Sequence, residues 1–320
     1  MFNFPKTTHI IHGRASRLIF LNFVLILFSS GLYSQNYVDL AKFHYANTPL
    51  NKFDSTDATT RVQEMGLDVN LPIVLKGGSA FLTGFTFASS SAKVSSENNN
   101  VSSVYTAMLK VGMNIKHNDK WTGTYLFLPK LSSDLKKIGR DDFQFGGLVL
   151  IDYKKREKFK YRFGLYYNSE LFGPYFVLLF GLYYKSKNDK FEINATLPVW
   201  ADLNYRLAPW FKVGSNFSAL TRTFNINEPQ FSEKGEYLVK QSNELFLYGQ
   251  FEMFKNFIIQ TKIGYSIGRR YSIYDEKDRV GFGVLLFRID DDRSQLNSEF
   301  SDGIIFRVRL IYRFFTDTKN

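Results

Sequence analysis

The stretch Ile304–Phe315, IIFRVRLIYRFF, decides the fold. Its alternate positions Ile304, Phe306, Val308, Leu310, Tyr312 and Phe314 are all apolar, whereas the intervening positions include Arg307, Arg309 and Arg313. Successive side chains of an extended strand point to opposite faces, so one face is apolar throughout and the other carries three guanidiniums. Three arginines on one face would ruin an apolar core. They are ordinary where that face lines a wet lumen and the other meets lipid, as in a transmembrane β-barrel.

The same period of two recurs upstream. Tyr105, Ala107, Leu109, Val111 and Met113 oppose Thr106, Lys110, Gly112 and Asn114; Phe159, Tyr161, Phe163 and Leu165 oppose Lys160, Arg162 and Gly164. Leu245, Leu247 and Phe251 oppose Glu244, Gln250 and Glu252, and Phe257, Ile259 and Ile263 oppose Gln260 and Lys262. This is sheet periodicity, not helical. The runs match the roughly 9–11 tilted residues that cross a bilayer better than the roughly 5–6 of a soluble sheet.

Short polar turns at 76–79, 117–120, 154–158, 185–189, 208–209 and 254–256 alternate with longer connections at 48–60, 89–103, 130–142, 168–174, 225–238 and 273–302. Threading strands between them predicts an all-β, antiparallel barrel of about fourteen strands: 37–47, 61–75, 79–90, 103–116, 120–129, 142–154, 159–168, 174–185, 190–198, 199–207, 210–224, 239–253, 255–272 and 303–315. Apolar alternation runs unbroken through Pro198, so this count requires a tight turn there, and twelve strands is the second choice. An even number places both termini at one end, the end of the short turns.

Composition agrees. Phe (33) and Tyr (19) are abundant, yet 22% of residues are charged and mean hydropathy is only −0.20, so polar and apolar groups must be finely interleaved. The absence of cysteine excludes disulfides, thiolate metal sites, a cysteine nucleophile and an acylated lipoprotein anchor.

Positions 1–17 carry Lys6, Arg14 and Arg17 without an acid, Leu18–Phe28 is an apolar run, and Ser29, Ser30, Gly31 and Ser34 follow. These are the three parts of a secretory signal, 1–34, with cleavage near Ser34 and a barrel domain over 35–320. The apolar run would span roughly 16 Å as a helix, too short for a hydrocarbon core of about 30 Å. Removing the leader's three bases from the formal charge of +11 leaves +8. The remaining bases are dispersed along alternating strands instead of clustering, which argues against nucleic acid as a partner.

The opening strand Asp39–Tyr45, the segment LPVWADLNYRL over 197–207, the IGRRY stretch beginning at Ile267 and the closing strand together resemble the uncharacterised outer-membrane β-barrel families common in Bacteroidota. The likeness covers most of the mature chain. It implies an outer-membrane location and outer-membrane lipid as surroundings, and carries no known chemistry. The aromatic-rich last strand also resembles the signal read by the barrel-assembly machinery, although Thr316–Asn320 displaces its aromatic end from the terminus.

Chemistry is sparse. Beyond the leader only His44 and His117 remain, neither set near a serine and a carboxylate in sequence, and Asp290, Asp291 and Asp292 lack the alternate spacing of a calcium loop. No enzyme, cofactor or metal site is expected. The functional candidates are instead the inward-facing bases Lys160, Arg162, Arg206, Lys262, Arg270, Arg307, Arg309 and Arg313, with Lys110, Lys212 and Arg222, against Glu64, Asp68, Asp152, Glu192, Asp202, Glu244 and Glu252. The basic excess suits a passive pore or ligand-entry protein that attracts small anionic solutes. The same residues could form ion pairs bracing a closed structural or surface-interaction barrel that presents 225–238 and 273–302. A membrane-embedded enzyme using His44 is a minor third reading.

Overall fold

The computed structural model describes residues 37–315 apart from 98–99, 234 and 286; the expected leader lies outside the described residues. The wall is built from β1 (Tyr37–Asn47), β2 (Gln63–Val74), β3 (Ala80–Lys93), β4 (Val101–Lys116), β5 (Trp121–Ser133), β6 (Phe143–Arg156) and β7 (Phe159–Glu170). It continues through β8 (Gly173–Lys185), β9 (Phe191–Leu197), β10 (Trp200–Ala208), β11 (Phe211–Ile226), β12 (Glu236–Met253), β13 (Phe257–Asp275) and β14 (Ile304–Phe315). Each strand pairs antiparallel with its neighbour in the chain, and β14 returns to β1 with Tyr37 opposite Phe315 and Asn47 opposite Phe306. The result is a closed fourteen-stranded antiparallel β-barrel, in which the first and last strands pair with each other and present no free edge.

Alternation sets the facing. On β14 Phe306 and Leu310 are 52% and 47% exposed, whereas Arg307 and Arg313 are 8% and 5% exposed. Near the end carrying the described chain termini the outer face bears an aromatic belt, with ring pairs Trp121–Tyr153, Phe159–Tyr184, Trp210–Phe251 and Phe257–Tyr312. Aromatic girdles of this kind mark the apolar–polar boundary of barrels that span bilayers.

The expected tight turn at Pro198 is present, so β9 and β10 form a short hairpin. The connection expected over 168–174 is not long. It is a two-residue turn at Leu171–Phe172, because Phe172 is fully buried in an apolar cluster and draws the chain inward. Several strands also run further than their alternation indicated, β5 to Ser133, β12 from Glu236 and β13 to Asp275.

Opposite the termini, residues 48–62 and the end of the 276–303 connection fold over the barrel mouth. Phe53, Val62 and Phe300 pack against Val94 of the β3 side and Phe224 and Tyr271 from the far wall. Each such side chain taken from water contributes roughly 1.5–3 kcal/mol, so this stopper is a second core within the wall. Asn297 pins it, donating Nδ2 to the Val94 and Tyr271 carbonyls at 2.9 and 2.8 Å and accepting Ile273 N–H at 2.8 Å.

Candidate functional site

The inward faces of the strands carry the charged groups singled out by the alternation, and the structure shows how they are arranged. On β14, Arg307 donates through Nη2 to Glu64 Oε2 at 3.0 Å and Glu244 Oε2 at 2.9 Å. Lys240 from β12 meets the other oxygen of Glu64. Two cations and two carboxylates therefore form a charge-balanced quartet linking β12, β14 and β2, and all four side chains are 8–13% exposed. Phe246, fully buried beside it, lies under the Arg307 guanidinium at 4.6 Å.

Nearer the termini, Arg313 grips Asp39 with Nε–Oδ1 2.6 Å and Nη2–Oδ2 3.2 Å, and stacks 3.6 Å above the Tyr37 ring. Planar two-point pairing of this kind fixes direction as well as distance. Tyr37 in turn donates to Glu192 on β9 at 3.5 Å, so a contact crosses the lumen. Arg162 repeats the two-point pattern on Asp152, at 2.8 and 3.2 Å, and reaches Asn194 and Thr196 at 3.0 Å each. Lys160 is buried on the same face. Arg206 and Lys212 share Glu252, at 3.5 and 3.0 Å. Lys262 donates to Asn216 Oδ1 at 2.9 Å and sits 5.2 Å from the Tyr248 ring. Arg309 is half-buried in the same row, in register with His44 and Gln260.

Arg270 departs from the expected facing. Its side chain is 60% exposed on the outer face beside Glu299, and Arg269 occupies the inward position at 4% exposure. Gly268 (φ +65°) and Arg269 together oppose Ser242, between the paired positions Ile267–Asn243 and Arg270–Gln241. This extra residue is a β-bulge seated on a left-handed glycine, and it inverts the facing of everything beyond it. The glycine was visible in the sequence; its conformation was not.

Several interior groups escaped the alternation altogether. Lys130 and Glu170 form a pair 3.2 Å apart with side chains 3% and 0% exposed, but both lie in strand ends that the sequence had placed in connections. Lys42, which the alternation had left out, joins the expected Lys110 on Asp68 and faces it directly in register, and Lys240 completes the quartet across the curve of the closed wall.

Beneath this network the terminal end of the barrel opens into a vestibule of about 1000 Å³. Its lining includes Lys110, Lys116, Lys154, Lys160 and Arg162 against Asp119, Asp152 and Glu157, so cations hold a modest majority. Above it the inward positions turn apolar: Leu148, Leu150 and Tyr166 pack with Val177 and Leu179. The chamber is thus charged at its open end and closed by hydrocarbon and the loop-end stopper at the other.

His44 lies over Gly66, opposite it in register, where a Cβ would come within 2.3 Å of the imidazole. His117, in a short turn, is 3.1 Å from the Tyr125 hydroxyl. In the acidic loop Asp291 is held by Arg293 (Nε–Oδ1 2.7 Å), and that hydrogen-bonded guanidinium keeps its carboxyl below the usual range. Among the described residues no group of three histidines or carboxylates is placed to hold a metal.

Among solved structures, the chain is similar to the COG4313 outer membrane channel from Pseudomonas putida F1 (9% identity, 89% of this chain and 99% of that one, TM-score 0.43). It is similar also to the translocator domain of autotransporter NalP from Neisseria meningitidis (11%, 94% and 97%, TM-score 0.40) and to the Pseudomonas putida toluene transporter TodX (10%, 86% and 90%, TM-score 0.37). Comparison with curated proteins gives no match. The family described as "Domain of unknown function (DUF6268)" matches residues 31–286, most of the chain, and the protein belongs to that family.

Proposed function

We propose that the protein is an outer-membrane ligand-entry barrel, exported by a cleaved leader, that admits a solute into the vestibule and is shut at rest. The observation that carries this reading is a charge-lined chamber of about 1000 Å³ within an apolar-surfaced barrel whose opposite mouth holds the buried cluster around Phe53 and Phe300. The aromatic belt and the exposed apolar stripes favour a lipid surround. The expected basic lumen is largely neutralised, because Arg307 and Arg313, like Arg162 and Lys110 of the vestibule, are met by carboxylates, and the basic excess there is the modest one of five cations against three acids. On location, the chain fractionates with outer membranes and begins near Gln35; an uncleaved chain in the soluble fraction overturns the leader and the membrane surround together.

Function is tested in planar bilayers. Native protein shows little steady conductance, and Phe53→Ala with Phe300→Ala, which thins the stopper, raises it. Current through that variant favours small anions under a salt gradient, and Lys154→Gln with Lys160→Gln lowers the preference, since rings of Lys and Arg reduce the barrier for anions. A large steady current through native protein overturns the shut state in favour of an open pore. The closed structural barrel is a second reading, favoured by the quartet and its neighbouring pairs; absence of current even in the stopper variant decides for it.

A further inference from the structure

The wall has one discontinuity. β9 and β10 are short, so β8 pairs with β9 only from Phe180 to Lys185, and β11 pairs with β10 only as far as Ser218. Above the Pro198–Val199 turn, Gly173–Leu179 of β8 and Ala219–Ile226 of β11 therefore face no common neighbour.

The two edges are satisfied differently. The top of β11 passes inside the barrel. Thr223, on the face that lower down carries Val213 and Phe217, donates N–H and Oγ1–H to Glu170 Oε2 at 2.8 and 2.6 Å, and Glu170 belongs to the inward face of β7. Asn225 pairs in parallel with Ser133 of β5. The sheet thus overlaps itself like a scroll, with the former outer face of β11 and β12 lying under the inner face of β6–β8. The edge of β8 is covered instead by a hairpin of two short strands, Phe282–Val284 and Phe287–Ile289, in which Gly283 and Val284 pair in parallel with Tyr175 and Phe176. The far edge of this hairpin, Phe287–Ile289, ends the sheet order and makes no ladder to β11.

Beside the Glu170–Thr223 contacts the seam between the layers is lined by apolar side chains. Phe172, Tyr175, Val177 and Leu179 of β8 and its turn face Tyr237 and Val239 of β12 there, with Val280 and Leu285 closing the outside. Its inner limit adjoins the vestibule. Leu150 and Tyr166 at its inner limit occupy the same strand faces as Asp152 and Arg162, which line the chamber. On the outside, Phe282 and Phe287 are 41% and 71% exposed.

We propose that this seam is a lateral portal through which a small apolar solute passes between the surrounding bilayer and the vestibule, and that the paired strands Phe282–Val284 and Phe287–Ile289 are its door. The proposal rests on the ligand-entry reading and deepens it by assigning a solute class and a route. An uncovered edge of β8 in hydrocarbon would leave backbone groups unsatisfied, which accounts for a hairpin held there by hydrogen bonds. One side of it is attached, by Val280 N–H to the Phe172 carbonyl at 2.8 Å and Leu285 N–H to the Phe176 carbonyl at 3.0 Å. The other side lacks a ladder, so opening breaks few bonds. Arg288, 4.7 Å above the Phe172 ring and 5.0 Å from that of Tyr175, clasps the closed position.

The chain has no cysteine, so the door can be locked without competing thiols. The variant Phe176→Cys with Val284→Cys places a disulfide across one register pair. The probe is N-phenyl-1-naphthylamine, followed in cells whose intact outer membrane excludes the dye. Native protein accelerates dye entry; oxidised variant slows it by about tenfold, and reductant restores it in the same cells, which shows that the variant is folded. Equal entry in oxidised and reduced cells overturns the portal while leaving ligand entry standing. No acceleration by native protein also overturns the portal, and the anion current of the stopper variant then tells whether the ligand-entry reading falls with it.

Discussion

Replacing Glu64 by alanine lowers the stability of the barrel by about 3–5 kcal/mol, because it leaves two buried cations, Lys240 and Arg307, without the carboxylate they share. Arg307 retains Glu244 at 2.9 Å, but Lys240 keeps no carboxylate partner, holding the Ser90 hydroxyl at 3.3 Å and the face of the Tyr271 ring at 5.5 Å. The asymmetry gives an internal check. Lys240→Ala costs less, since Glu64 and Glu244 both still accept from Arg307, at 3.0 and 2.9 Å, and neither carboxylate loses its last partner even though one negative charge is left in excess. Urea-induced unfolding in lipid vesicles, read by the shift of the folded band on unheated gels, measures both. A loss below about 1 kcal/mol for Glu64→Ala would mean that water reaches the quartet and that it behaves as a surface pair.

A charge placed on the outer face is the second large effect. Leu310, 47% exposed, sits between Phe43 and Ile259 of the neighbouring strands and lies midway along the apolar stripe of β14. With lipid against that stripe, Leu310→Arg costs roughly 2–4 kcal/mol, the penalty for a guanidinium near the bilayer midplane. Arg309→Leu, one residue away on the inner face, removes a half-buried base and leaves the outer surface intact. Assembly yields of the two variants in the outer membrane should differ strongly in that order. Comparable yields would indicate that the outer face of β14 meets water and that the membrane surround is wrong.

The sequence determined the strand count, the closure and the facing of most side chains, because alternation is a local property: each residue of a strand reports which side it faces whatever its partners. That is why the fourteen segments predicted from Tyr37 to Phe315 correspond to the fourteen wall strands, including the short hairpin forced at Pro198. It is also why Arg162, Arg307 and Arg313 could be assigned inward before any contact was known. Only the tertiary structure decided which charges meet. Glu64 and Lys240 are 176 positions apart, and Tyr37 and Glu192 are 155 apart, distances set by the curvature of a closed wall and invisible to a period of two. A period of two also has no memory across an inserted residue, so the left-handed Gly268 exchanged Arg270 for Arg269 without any change in the local pattern. The scroll at the top of β11 lay furthest beyond reach: it depends on β9 and β10 stopping short of their neighbours, a comparison of lengths between strands that becomes a free edge only once the sheet has closed.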